Sequence, residues 1–377
     1  MFNEARRAAW VEISTGNIAS NFNAIRRLAP KAETLACIKA DAYGHGIVKT
    51  AWVFVRENVD YLGVATLDEA VKLRSAGIKS KIVLLYPVPR PNIKDAIDLR
   101  LILTVTSIDD AKLISEAVIR SEAKSATQIF IELETGMGRL GFLPSQESIR
   151  CISEIESLPG VEMLGVLSHF ASADDPDLSF ARKQLDSFNS FISGLREAGL
   201  DTGRLTMANS AAIMALPESH FDIIRPGIAL YGLYPSETMD KSTLPLSPVM
   251  TVKANIIYIK KVPSGFPVSY GSRFTTERDS LIASLPIGYG DGMPRAASGK
   301  ARVLVRGGYA PIVGTICMDV CMVDVTDIPG VCEYDEVVVL GEQGGKSIAA
   351  AEIAENSHTS VYEVVCRFGQ RLPAKYL

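Results

Sequence analysis

The stretch Leu35-Ala36-Cys37-Ile38-Lys39-Ala40-Asp41-Ala42-Tyr43-Gly44-His45-Gly46 carries the strongest chemical signal in this chain. A short apolar run ends in one lysine, then breaks at a tyrosine among small residues and glycines. A strand ending in Lys39, a glycine-rich turn and a helix from about Ile47 would present a primary amine at the carboxyl end of a strand. Such an amine can form a Schiff base once partial burial lowers its pKa. A lone lysine in that position usually just reaches solvent. Lys39 is not alone, because Tyr43 and the glycines could hold an anion beside it.

Other chemically capable groups recur at similar places. Arg139 follows an apolar run in Glu134-Thr135-Gly136-Met137-Gly138-Arg139-Leu140-Gly141, and His169 ends another in Leu167-Ser168-His169-Phe170. Asn209 and Ser210 follow a third in Met207-Ala208-Asn209-Ser210-Ala211-Ala212, and Arg225-Pro226-Gly227-Ile228 follows a fourth. Taken singly, each has a plainer reading. Asn-Ser-Ala-Ala suits a helix cap, His169 a satisfied core histidine, and Arg225 a rim salt bridge.

The elements that would position these groups alternate. Strand candidates are Thr34–Ile38, Tyr61–Ala65, Lys81–Leu85, Leu101–Val105, Thr127–Leu133, Glu162–Leu167, Arg204–Met207 and one near Phe221–Ile224. Between them lie amphipathic stretches such as Ile18–Leu28, Leu67–Ala76, Ile108–Ile119 and Phe180–Ala198. About eight such units match a (β/α)8 TIM barrel in period and length, although an open doubly wound sheet would read similarly. The reactive groups decide for the barrel. They sit at five strand carboxyl ends, which share one face in a barrel and would be spread along an edge in an open sheet. Barrel phosphates favour the loops after strands seven and eight, and here those loops supply the Ser210 hydroxyl and amide and the Gly227 and Ile228 amides.

After Tyr234-Pro235-Ser236 the texture changes. Residues 237–248 look like a linker, and from Val249 the chain is rich in Val, Ile and Thr, broken by turn signals such as Arg306-Gly307-Gly308. The expected organisation is an N-terminal strand (1–11) joining the β domain, a barrel (12–240), and a mostly β C-terminal domain (241–377) closed by one or two helices within Ile348–Phe368.

The chain has 377 residues, of which 47% are hydrophobic and 22% charged, with a net charge of −4. That balance gives no electrostatic footprint for nucleic acid or an anionic membrane. Neither a signal-like apolar core nor a run of membrane-spanning length stands out, so a cytoplasmic protein is expected. Six cysteines and four histidines are too scattered for a metal set, and no metal is expected.

The string Ile38 to Gly46 closely resembles the lysine motif of alanine racemases, which bind pyridoxal phosphate (PLP). Later strings resemble the C-terminal half of the same family in order and spacing. They are Leu285-Pro286-Ile287-Gly288-Tyr289-Gly290-Asp291-Gly292, Gly314-Thr315-Ile316-Cys317-Met318-Asp319 and Val361-Tyr362-Glu363. The similarity runs from Trp10 to about Arg371. It implies that Lys39 carries PLP and serves as one base, acting on the D-isomer, and that Tyr289 is the second, acting on the L-isomer. It also implies that Tyr43, Ser210, Gly227, Ile228 and Tyr362 hold the phosphate, with Asn209 in the cofactor site. By the same resemblance Arg139 lies near the cofactor's phenolic oxygen and the substrate carboxylate, and Met318 offers its amide to that carboxylate. His169 and Arg225 match the family's relay to the tyrosine. A guanidinium at the pyridine nitrogen opposes pyridinium formation and weakens the electron sink, which discourages side reactions. Because Tyr289 lies outside the barrel, the resemblance further implies a head-to-tail homodimer with shared active sites and a small amino-acid substrate.

Four positions depart from the family pattern. Glu132 stands where many members have a carbamylated lysine and is expected to pair with Arg139. Thr206 replaces a frequent histidine, Met293 a common tyrosine and Thr315 a frequent arginine, the last two at the expected substrate entrance. Serine or a broader set of small amino acids therefore stays open beside alanine. A non-catalytic PLP-carrier barrel would end without Tyr289 and Tyr362, and a decarboxylase would need the strong electron sink that Arg225 opposes.

Overall fold

The computed structural model describes residues 7–121 and 125–377. After β1 (Ala9–Ile13), eight short strands follow: β2 (Glu33–Cys37), β3 (Tyr61–Val64), β4 (Lys81–Leu84), β5 (Ile102–Val105), β6 (Thr127–Glu132), β7 (Val161–Leu167), β8 (Arg204–Thr206) and β9 (Ile223–Ile224). Among the described residues these eight close into a barrel, with β9 returning to β2 through the parallel pair Glu33 and Ile223. The strands read as near-continuous apolar runs because both faces are covered, one by the barrel interior and one by helices. All four residues of β3 and of β5 are buried.

The surrounding helices follow from their apolar spacing and caps. In Ser179–Glu197 the buried residues Leu185, Phe188, Ile192 and Leu195 recur at helical spacing on one face. Thr66, Ser107 and Ser145 each accept a hydrogen bond from the amide three residues on and so start the helices Leu67–Ser75, Ile108–Arg120 and Gln146–Glu156. At the first of these, Glu69 completes a capping box with Thr66.

The chain divides into two compact units, and the barrel belongs to the one comprising Ile18–Ala42 and Ile47–Ser247. The other contains the chain up to Asn17, Tyr43–Gly46 and Pro248–Leu377. Its strands are β10 (Met250–Asn255), β11 (Tyr258–Val262), β12 (Pro267–Val268), β13 (Phe274–Thr275), β14 (Ser280–Leu285), β15 (Arg302–Val305), β16 (Gly308–Val313), β17 (Cys321–Asp324), β18 (Glu336–Gln343), β19 (Lys346–Ile348) and β20 (Ala374–Tyr376). The main sheet runs β11-β14-β17-β16-β15-β18-β10-β1-β20, with β19 beside β18. In it β1 is antiparallel to β10 and parallel to β20, so the two ends of the chain meet as sheet neighbours. Helices Ala350–Ser357 and Val361–Phe368 precede the last strand. No helix among the described residues is long and apolar enough to cross a membrane.

Candidate active site

The barrel ladder continues past the strand ends and aligns the residues that follow them. Ile38 donates its amide to Gly63 O at 2.8 Å, Ser168 to Thr206 O at 3.0 Å and Arg225 to Ala208 O at 2.8 Å. Lys39, Arg139, His169, Asn209, Ser210 and Arg225 thus all follow barrel strands at their carboxyl ends.

Past Lys39 the backbone does something the residue types do not announce. Ala40, Asp41, Ala42 and Tyr43 have φ of 52°, 53°, 56° and 54°, a left-handed helical turn built without glycine. Such a conformation costs a non-glycine residue roughly 1–2 kcal/mol. Compensating bonds hold it. Ala42 donates to Ile38 O at 2.8 Å, Asp41 accepts from the Ile47 amide at 2.9 Å, and Glu69 accepts from the Ala40 amide at 2.6 Å.

The Lys39 ammonium stands 5.5 Å above the Tyr86 ring, and the Arg139 guanidinium lies 5.6 Å from the same ring. Tyr86 follows β4 at its carboxyl end, so the strand-end rule that found Lys39 could also have found it. Arg139 sits 3.6 Å from Glu132, the last residue of β6. Glu132 is buried, and its second oxygen has no partner among the described residues. Burial pushes its pKa above the ordinary carboxylate value, against the opposing pull of Arg139 and Arg225. Glu134 behaves differently: burial works to raise it, but backbone amides led by that of Arg139 bring its pKa below the usual value. The loop carrying Arg139 folds back on β6 through Phe142, whose amide donates to Glu132 O at 2.8 Å. Gly141 makes this possible. Its φ is 118°, and a Cβ there would lie 2.5 Å from Glu132 O.

Arg225 is buried and donates to the Thr206 hydroxyl at 2.7 Å, to Ser168 O at 2.6 Å and to His169 Nδ1 at 3.2 Å. A guanidinium has only donors, so Nδ1 must accept and a neutral His169 carries its proton on Nε2. Neutrality is enforced by burial of the ring, then by the charges of Arg225, Arg139 and Lys39, which together push its pKa well below the usual value. Thr206 explains how this barrel manages without the frequent histidine: its hydroxyl accepts from Arg225 and donates to Ile223 O at 2.7 Å. Gln184 adds support that sequence reading missed, donating to His169 O at 3.0 Å and accepting from the Ala171 amide at 3.0 Å. Nothing local marks it, since its partners lie 13 and 15 residues away.

Asn209 is a helix cap. Its side-chain oxygen accepts from the amides of Ala211 at 3.1 Å and Ala212 at 3.0 Å. The next residue joins two loops: the buried Ser210 hydroxyl accepts from Gly227 N at 2.9 Å and Ala229 N at 3.3 Å. Ser210 and Ile228 each begin a helical turn, where an amide has no carbonyl within its own helix to serve. Hydroxyl and amides together form a polar cradle of the kind that can receive an anion.

The remaining sequence-derived site residues belong to the other unit. Tyr43 is buried, and its ring centroid lies 6.2 Å from that of Tyr362, on the helix Val361–Phe368. Gly44 permits this docking, since a Cβ on it would come within 2.4 Å of Val365 O. Tyr289 donates its amide to Cys317 O at 3.0 Å and Gly290 to Met318 O at 2.9 Å, so the two motif strings lie side by side. Beneath them the fully buried Asp291 accepts from Gly288 N at 3.1 Å and pairs with Arg7 at 2.8 Å and Arg371 at 3.4 Å. The side chains of Tyr289 and Met318 point outward, with 40% and 54% exposure. Met293 and Thr315 are both buried, and Thr315 donates to Tyr270 O at 2.9 Å.

Comparison with known proteins agrees along the whole chain. Residues 13–235 match the family described as alanine racemase, N-terminal domain, and residues 249–376 match alanine racemase, C-terminal domain. Alanine racemase 1 of Clostridium acetobutylicum is 44% identical over 372 residues, covering 98% of this chain and 96% of the relative. The alanine racemase of Clostridium novyi is 43% identical with the same coverage. A solved structure of alanine racemase from Clostridium difficile 630 superposes with a TM-score of 0.92 at 36% identity, over 98% of this chain and 96% of that one.

Proposed function

Because the chain belongs to the alanine racemase family, we propose that it interconverts L- and D-alanine with pyridoxal phosphate, using Lys39 and Tyr289 as two bases. The observation that carries the cofactor assignment is the cradle of Ser210, Gly227 and Ile228 in the same barrel as the Lys39 amine and the Arg225–His169 pair. These residues fit a phosphorylated aromatic aldehyde: a hydroxyl and the helix-start amides of Ser210 and Ile228 for the phosphate, a neutral imidazole for a ring face, a fixed guanidinium donor and a primary amine. Lys39 would hold the group covalently, with Tyr43 and Tyr362 adding phosphate contacts and Asn209 shaping the cradle through its cap. Bound there, PLP supplies an electron sink that acidifies the α-hydrogen of the substrate.

Racemisation needs one group to take that proton from one face and another to return a proton to the opposite face. Lys39 Nζ serves the D-isomer and Tyr289 Oη the L-isomer. Arg225, already spent on three acceptors, stays protonated and donating, and the neutral His169 next to it supports the tyrosine. Arg139 and the Met318 amide receive the substrate carboxylate, and Glu132 orients Arg139. The exposure of Tyr289 and Met318 in a single chain supports a head-to-tail homodimer in which each subunit completes its partner's site.

Two measurements test this reading. Borohydride reduction of the purified protein, followed by peptide mapping, should fix the cofactor to Lys39 alone. Chiral chromatography after incubation with L-alanine, D-alanine and L-serine should show racemised alanine, and Lys39→Ala should abolish it. A Lys39→Ala protein that racemises alanine at the parent rate would overturn the assignment. Racemised serine at a comparable rate would widen the substrate class to small amino acids.

A further inference from the structure

We propose that Glu69 is a positioning residue for Lys39: its carboxylate clamps the left-handed turn that presents the reacting amine. The inference rests on Lys39 being that amine, and deepens it. Glu69 lies in the first turn of Leu67–Ser75, where a capping-box glutamate needs only to reach back to the cap amide. Here it does more. One oxygen accepts from Ala65 N at 2.8 Å and Thr66 N at 3.3 Å, and the other reaches the neighbouring strand end to accept from Ala40 N at 2.6 Å.

Ala40 is the residue directly after Lys39 and the first of the four with positive φ. A turn of that hand, made from Ala, Asp, Ala and Tyr, is not what an unrestrained chain adopts. The contact with Ala40 is charge-assisted and fixes the first peptide of the turn, and with it the exit vector of the Lys39 side chain. The same carboxylate ties β2's end to β3's end, so the amine is referenced to the barrel frame and not to a loose loop.

The capping box gives a way to separate this role from helix stability. A glutamine at position 69 can still cap, because its carbonyl can face Ala65 and Thr66, but its amide group then turns a donor toward the Ala40 N–H. The opposite flip would leave two amides facing a donor in place of one. Thr66→Ala does the converse: it removes the hydroxyl that accepts from Glu69 N and leaves the Ala40 contact in place.

The test uses the full-length holoenzyme and the variants Glu69→Gln, Glu69→Ala and Thr66→Ala. Hydrogen–deuterium exchange over peptides spanning residues 38–44 should speed up by about tenfold or more in both Glu69 variants and stay at the parent rate in Thr66→Ala. kcat should fall by about tenfold to a hundredfold in both Glu69 variants, with KM little changed, because a displaced base loses transition-state geometry more than substrate binding. Thr66→Ala should lower Tm and keep kcat. Parent-like exchange over 38–44 in Glu69→Ala, or a kcat loss in Glu69→Ala no larger than in Thr66→Ala, would overturn the proposal. Borohydride mapping on the same samples keeps the two readings apart. A cofactor fixed elsewhere than Lys39 defeats the functional assignment, whereas the exchange data judge the clamp itself.

Discussion

Glu132 keeps one oxygen 3.6 Å from Arg139 and the other buried without a partner among the described residues. Burial works against the charge of a carboxylate so placed, and Arg139 and Arg225 work for it. The sign of its pH effect follows. Its folded-state pKa is raised above the ordinary value of 4.5, so the folded protein binds the proton more readily than the unfolded chain. Stability attributable to Glu132 is therefore greatest at low pH and is lost as pH rises through the folded pKa. Glu132→Gln should then raise Tm relative to the parent protein at pH 8, with the gap closing as pH falls toward 4.5. The same substitution should raise KM for alanine several-fold, because a neutral amide holds Arg139 less firmly than a carboxylate does. Parallel melting curves and steady-state kinetics check both halves, and bicarbonate should leave the parent activity unchanged. Equal KM values would remove Glu132 from the site. Sequence alone could place Glu132 and Arg139 seven positions apart on a strand and its loop. It could not reveal that Lys39 and Arg139 both approach the Tyr86 ring, or that Gln184 props up His169, because those contacts are made by the closed barrel and not by spacing.

The barrel strands were legible because they are short, mostly buried apolar runs, and the expected bounds differ from the observed ones by at most one residue at either end. β9 is the exception, shrinking to Ile223–Ile224, although Arg225 still donates its amide to Ala208 O and Pro226 O still accepts from Cys37 N. Some helix starts carry an equally local signal, the caps Thr66, Ser107 and Ser145, whereas Ser179–Glu197 begins without a side-chain cap. The turns were not legible. The sequence suggests that glycine makes the bend after Lys39, yet the left-handed residues are Ala40 to Tyr43, while Gly44 is required for its fit against Val365. Loop geometry of this kind is imposed by partners elsewhere in the fold. The loop after β6 offers a direct check. Gly141→Ala would place a methyl group 2.5 Å from Glu132 O at a φ of 118°. The loop must shift, at a cost of about 1–3 kcal/mol. Chemical denaturation should register that loss, and KM for alanine should rise more than kcat falls, because Arg139 sits on the displaced segment.

At the scale of the whole molecule, the two proposed bases are carried by different compact units: Lys39 by the barrel and Tyr289 by the β-rich unit. Tyr289 and Met318 lie side by side with partly exposed side chains, while the aspartate beneath them is fully buried and paired with two arginines. That is the profile of a rigid platform that offers its side chains outward. A head-to-tail dimer would use it, each subunit lending Tyr289 to the other's Lys39. Tyr289→Phe should keep the cofactor fixed on Lys39 but cripple racemisation in both directions, because each direction needs both faces. Exchange of the α-hydrogen with solvent deuterium separates the bases, and should survive better for the D-isomer than for the L-isomer. Inactive Lys39→Ala and Tyr289→Phe subunits, mixed and allowed to exchange, should regain activity. One site of the mixed dimer then receives both defects and the other receives neither. With random exchange, half the dimers are mixed and each has one working site, so recovery should approach about a quarter of the parent activity. Confirmed subunit exchange without recovery would mean that each chain builds its site alone, and Tyr289 would then have to meet Lys39 within one subunit.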